Sequence, residues 1–223
     1  MVSFQTLYEA ALRNHGEEHL AALLPKVIKT ADLAATNDDR MLSAMARCVF
    51  RAGFSWTVIE KKWPDFETVF AGFNPRALAN YSNERIDELM KDARIVRHRT
   101  KIQSVRENAL YICDIQHGHG SFAAYIADWP EEQIVELWLT LKKKGSRLGG
   151  NSGPGFLRLI GKDTFLLTKD VCAVLLNHGL VDGLSPNAKR DLLKVQAVFN
   201  DFHQQSGLPL SHISRILALS LQT

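Results

Sequence analysis

An all-α protein is the fold class predicted by this 223-residue sequence. Three observations predict it: helix start and stop signals recur along the chain, strand-like alternation is lacking, and one glycine-rich turn joins two apolar stretches of helical period. With 46% hydrophobic residues the chain has enough apolar side chain to fill the core of one soluble unit of one or two small domains.

The elements follow from local chemistry. Asp38 and Asp39 open DDRMLSAMARCVFRAG, where carboxylates favour a helix dipole. Met41, Leu42, Met45, Cys48, Val49 and Ala52 then form one apolar stripe that Gly53 ends. Short helices are predicted after Asp65, after Asn74 with Pro75 in the first helical position, and after Ser82. A longer one runs from about Arg99 to Ile115, with Ile102, Val105, Ala109, Ile112 and Cys113 on one face. Ser121 begins another, and Pro130 opens PEEQIVELWLTLKKKG, closed by Gly145. Thr168 caps a helix from Lys169 to Asn177, a long helix starts at about Pro186, and Ser211 starts the last.

Charge and cysteine usage narrow the class. No apolar run approaches the roughly 18 residues that span a bilayer, and the first twenty residues lack a basic head followed by an unbroken apolar stretch. A cytoplasmic protein without a membrane partner is expected. Cys48, Cys113 and Cys172 are odd in number and widely spaced, so free thiols are expected. The net charge of +3 is mild, yet Arg94, Arg97, Arg99, Lys101 and Arg106 cluster with no acidic residue between them. Lys142, Lys143, Lys144 and Arg147 form a second cluster. Those lysines either complement a helix C-terminus or meet phosphate. His117-Gly118-His119 reads as a loop with two exposed histidines, and no second cluster completes a metal site around it.

The second basic cluster leads into LGGNSGPGF, which has four glycines from Gly149 to Gly155. Such a turn lets successive N–H groups point one way, and the following helix N-terminus adds partial positive charge, so a helix-hairpin-helix of this kind holds a phosphate. The alternative is a tight turn whose glycines only solve a packing problem. Asp170 follows an apolar run at a helix start, nineteen residues after Asn151. A capping role is its ordinary meaning. The spacing also resembles the helix-hairpin-helix DNA glycosylase superfamily, in which an aspartate at about this distance faces the target nucleotide.

Two further motifs narrow the resemblance. Ala52-Gly53-Phe54-Ser55-Trp56 and, later, Val96-Arg97-His98-Arg99-Thr100-Lys101-Ile102 resemble the AGLSW and IRHRGKI motifs of the 3-methyladenine DNA glycosylase I family. The likeness implies two helical subdomains with a cleft between them, expected at residues 1–55 with 175–223 and at 56–174. It implies a base-excision enzyme that flips a damaged nucleotide out of double-stranded DNA and hydrolyses its N-glycosidic bond. Asp170 is then the candidate catalytic carboxylate. Trp56, Cys48 and Phe54 are the candidate base-binding residues. Gly150, Asn151, Ser152, Gly153 and Gly155, with Arg97, Arg99 and Lys101, are the candidate DNA contacts.

The chain also departs from that family. Where members carry a glutamate eight residues before the motif tryptophan, Cys48 stands here, which leaves the excised base open around alkylated, 3-methyladenine-like purines. No lysine lies in Gly150-Asn151-Ser152 to form a Schiff base, so a monofunctional enzyme is expected. The family's zinc ligands are missing: Phe4 stands near the N-terminus and no cysteine follows His203 or His212. No metal, no cofactor and a monomer are expected. The alternative is a non-catalytic DNA-binding or lesion-sensing protein.

Overall fold

The computed structural model describes residues 2–221, and the described residues hold helices and no strand. The chain opens with α1 (Phe4–His15), α2 (Glu17–Ala22) and α3 (Thr30–Ala34). It continues through α4 (Asp38–Arg51), α5 (Trp56–Val69), α6 (Pro75–Ala79), α7 (Asn83–Leu89), α8 (Arg99–His119) and α9 (Phe122–Ala127). The last elements are α10 (Ile134–Lys144), α11 (Ser152–Leu159), α12 (Lys169–Asn177), α13 (Lys189–Ser206) and α14 (Leu210–Ser220).

Ser82, Ser121 and Thr168 accept hydrogen bonds from backbone N–H groups three residues on, as their helix-start positions require. Two expectations change. Asp65 does not start a helix, because α5 runs from Trp56 through Pro64 to Val69. Ile59, Trp63 and Phe66 are buried along that helix, and their packing outweighs the hydrogen bond that proline removes. His117 and His119 are exposed but lie in the last turn of α8, whose stop is Gly120 at φ 78°.

The helices pack in two groups. In one, α4 lies against α5, α8 and α9, α8 carries α6 and α7, and α3 covers α9. In the other, α14 packs against α1, α12 and α13, and α13 against α10. The helix α4 lies in the first group through its contacts with α5, α8 and α9. Its stripe of Met41, Leu42, Met45 and Val49 is fully buried, and burial against α8 decides where it sits. The helix α11 joins the groups by packing on both α4 and α10.

Charged side chains tie helix ends across the fold. Asp38 does not cap its own helix; its carboxylate accepts from Phe122 N at 2.9 Å and Ala123 N at 2.8 Å, the first N–H groups of α9. Asp163 does the same for α14 through Leu210 N at 2.7 Å and Ser211 N at 2.8 Å. Lysines occupy the opposite ends. The Lys162 ammonium donates to Ala127 O and Trp129 O after α9, and the Lys101 ammonium donates to Phe50 O and Ala52 O at the end of α4.

This burial corrects the reading of Lys101, which is 2% exposed and cannot meet a DNA phosphate. Arg97, Arg99 and Thr100 of the same motif are exposed, whereas α8, which begins at Arg99, turns the Lys101 side chain inward beneath α4. Lys101→Met leaves two carbonyls without their donor. The expected outcome is a loss of about 2 kcal/mol in urea unfolding.

Candidate active-site cleft

The turn between α10 and α11 enters the left-handed backbone region at Arg147, φ 60°, and again at a glycine. Gly150 sits at φ 57°, in the left-handed region. A Cβ on Gly153 would lie 2.6 Å from the Leu148 carbonyl oxygen, so the first turn of α11 presses directly on the loop before it. The helix begins at Ser152, with Asn151 as its N-cap and Pro154 inside the first turn. Asn151 is held by its side-chain amide, which donates to Leu167 O at 3.2 Å and ties the turn to the segment before α12.

The N–H groups in this turn are not equivalent. Ser152 N–H donates to Gly149 O at 3.2 Å, and Gly155 N–H donates to Asn151 O at 2.9 Å. Gly155 is thereby corrected as a phosphate contact, because its N–H belongs to the helix. A Cβ there would come 4.0 Å from the Cys48 sulfur, an ordinary contact, so Gly155 faces Cys48 across the space between α11 and α4.

That space is a cleft of about 590 Å³. Cys48, Arg51 and Ala52 line it from the end of α4, Trp56 from the start of α5, and Asn151, Ser152 and Gly155 from the hairpin. Arg158, Leu166 and Thr168 complete the opposite wall. The structure thus brings together Cys48, Trp56 and the hairpin residues, which lie a hundred positions apart in the sequence. Trp56 is 65% exposed, and the Arg51 guanidinium lies 5.0 Å from its ring centroid, leaving an aromatic face at the mouth.

Phe54 is not part of this wall. Its ring stands edge-on to His98 with centroids 6.3 Å apart and beneath the Lys101 ammonium at 4.4 Å. Gly53, at φ 75°, turns the chain between Ala52 and Phe54, and this turn sends Phe54 to the neighbouring surface. Arg97 is exposed beside His98, and Arg99 is exposed and paired with Asp87. Arg147 at the hairpin tip donates to Thr100 Oγ1 at 3.5 Å, so hairpin, basic loop and Phe54 form one continuous surface next to the cleft.

Asp170 lies in the first turn of α12, exposed, two residues beyond Thr168. Thr168 rather than Asp170 caps that helix, its hydroxyl accepting from Val171 N at 3.2 Å. Asp170 is not among the residues that line the cleft.

Two arginines that sequence motifs did not single out line the cleft. Arg51 follows Cys48 by three residues on α4, and Arg158 follows Gly155 by three on α11, so each shares a helical stripe with a residue already chosen. The Arg51 guanidinium donates from Nε to Glu60 at 2.9 Å. Among the described residues the Arg158 guanidinium makes one hydrogen bond, from Nη2 to Thr164 O at 2.7 Å, and its buried Nε has no partner. Burial lowers the Arg158 pKa to about 10, partly offset by Asp163, so it remains a cation at neutral pH. Burial pushes the Cys48 thiol the other way, up to about 11, against the opposing pull of Arg51 and Arg47. The cleft therefore holds a neutral thiol and two guanidinium groups, with no carboxylate in its lining.

A helix-hairpin-helix packed on a helical core beside an aromatic-lipped cleft is the arrangement of a DNA glycosylase fold. A family model described as methyladenine glycosylase matches residues 33–146, and the chain belongs to that family. It is 30% identical over 83 residues to DNA-3-methyladenine glycosylase 1 of Escherichia coli strain K12, covering 37% of this chain and 44% of the relative. It is 32% identical over 59 residues to a Haemophilus influenzae DNA-3-methyladenine glycosylase, covering 26% and 32%. The chain thus spans less than half the length of these curated relatives in the matched regions.

Among solved structures, 3-methyladenine DNA glycosylase I from Staphylococcus aureus matches with a TM-score of 0.52 at 22% identity, over 71% of this chain and 95% of that one. The Methanocaldococcus jannaschii 8-oxoguanine glycosylase/lyase, solved with a 15-mer DNA containing 8-oxoguanine, matches with a TM-score of 0.54 at 13% identity. That second match covers 95% and 93% of the two chains, so it shows the helical fold over nearly the whole length.

Gly153→Ala forces the hairpin backbone apart and is expected to lower stability by about 1–3 kcal/mol, read by thermal and urea unfolding. The Cys48 thiol is expected to alkylate slowly at pH 7.5, because thiolate is scarce far below its pKa. Its iodoacetamide rate, mapped by mass spectrometry, should rise about tenfold per pH unit until close to pH 11.

Proposed function

We propose that the protein is a monofunctional DNA glycosylase of base-excision repair, acting on double-stranded DNA that carries a damaged purine. The observation that carries the reading is the joining of Trp56, Cys48 and the hairpin residues Asn151, Ser152 and Gly155 around one cleft of about 590 Å³. A purine fits that volume, and its ring stacks on Trp56.

Hairpin N–H groups that are free of helix bonds, at Gly150, Asn151 and Gly153, face the phosphate of the flipped nucleotide with the N-terminus of α11 behind them. Arg97 and Arg99 meet the backbone further along. The base enters the cleft, but its sugar stays at the mouth because the DNA backbone holds it there. A carboxylate that acts on C1′ therefore belongs outside the base cavity, and Asp170 is exposed two residues from Thr168 on the cleft wall.

Its negative charge stabilises the oxocarbenium-like sugar and orients water for attack. The C1′–N bond breaks with its electron pair going to the base, water oxygen bonds to C1′, and a water proton passes to the departing base. Gly150-Asn151-Ser152 offers no amine for a covalent Schiff base, so the product is an intact abasic strand.

The exposure of Asp170 outside the cavity lining favours one alternative, a DNA-binding lesion sensor without chemistry. Asp170→Asn separates the two. On the enzymatic reading it reduces base release at least about a hundredfold while binding to lesion-containing duplex changes little. Equal release by both forms removes Asp170 from the mechanism, and no release from any lesion by the unaltered protein leaves the sensor.

A further inference from the structure

The charge around the cleft points to the kind of base it accepts. Arg158 and Arg51 both line it. Arg47 lies one residue before Cys48, its Nε buried without a partner, and its Nη1 is 3.8 Å from Glu60. The carboxylates near these cations are already engaged. Glu60 takes Arg51 at 2.7 Å as well as Arg47, and Asp163 accepts the first two N–H groups of α14. Arg215 adds further positive charge on the Arg158 side. Cys48 faces this group as an uncharged thiol.

A purine alkylated at a ring nitrogen within DNA carries a positive charge, and these guanidinium groups repel it in a partly dehydrated cavity. An uncharged purine with adjacent O6 and N7 acceptors has the opposite fit. Those two atoms match the paired donors of an arginine, and among the described residues the Arg158 guanidinium spends only Nη2 on the fold, through Thr164 O, leaving Nη1 as the unbonded donor of a side chain that lines the cleft. Guanine in a normal pair offers the same edge but resists extrusion, whereas a deaminated base in a weakened pair leaves the stack at lower cost.

We infer that the cleft selects an uncharged 6-oxopurine of the deaminated type, with Arg158 reading its O6/N7 edge, and disfavours cationic N-alkylpurines. This inference rests on the glycosylase reading above. Arg158 is then a specificity residue, Trp56 supplies the stacking face, and Cys48 permits rather than attracts the base.

The test uses the full-length protein and duplex oligonucleotides that each carry one lesion: hypoxanthine as the neutral probe and 7-methylguanine as the cationic one. Release of hypoxanthine at least about tenfold faster is expected. Arg158→Gln should reduce hypoxanthine release about tenfold or more and leave 7-methylguanine release equal or higher. Binding of the Asp170→Asn protein to the same duplexes gives a readout that does not require turnover, and tighter binding to hypoxanthine DNA is expected there.

Faster release of 7-methylguanine, or equal loss of both activities in a folded Arg158→Gln protein, overturns the inference and leaves the glycosylase reading standing. Release of neither base, with no binding preference, overturns the inference, and the glycosylase reading falls with it only if no other damaged purine is released.

Discussion

The ammonium of Lys101 lies at the carbonyl end of α4 and joins segments about fifty residues apart in the chain. A helix ends with carbonyls that have no intrahelical donor, and a buried end without partners is unstable. Lys101 meets Phe50 O and Ala52 O together, and this fixes the point at which α4 stops and the chain turns at Gly53. Everything on the cleft's first wall follows from that stop. Cys48 and Arg51 occupy the last turn of α4, and Trp56 begins α5 four residues after Ala52. The burial of one charge is compatible with folding because the carbonyl dipoles at a helix C-terminus are aimed at it.

The second wall is set by the same kind of constraint with the sign reversed. Asp163 lies between the hairpin helix and α14, and its carboxylate holds the N-terminus of α14. Asp38 holds the N-terminus of α9 while also accepting from Gln116 of α8. Long-range charged caps thus fix helix ends relative to one another, where apolar packing alone leaves sliding freedom along each helix. The two walls meet where α11 packs on α4, with Gly155 facing Cys48.

This arrangement separates charge from chemistry in the cleft. The guanidinium groups of Arg51 and Arg158 lie in the wall, burial raises the pKa of the Cys48 thiol still further above neutral pH, and the carboxylate of Asp170 lies outside in solvent. Burial disfavours the charged form of both kinds of group, so it raises the pKa of the thiol and lowers that of the arginine.

The all-helical class, the hairpin, and the caps at Ser82, Ser121 and Thr168 were legible in the amino-acid sequence because they depend on residues within one or two turns of each other. Cys48 and Trp56 were paired only through the resemblance to the 3-methyladenine DNA glycosylase I motifs, and the structure places both in the lining of one cleft. The placements of Lys101, Phe54 and Gly155 were not legible in the sequence. Lys101 and Arg97 look alike in a basic run, and only the packing of α8 beneath α4 puts one inside and the other in water. Arg158 stood in plain view on an amphipathic helix, but a guanidinium becomes a site residue only when a distant segment buries it and leaves its donors unmatched. Local chemistry determined the helices and their ends; which ends meet, and hence which charges share a cavity, was decided by long-range burial that no local spacing encodes.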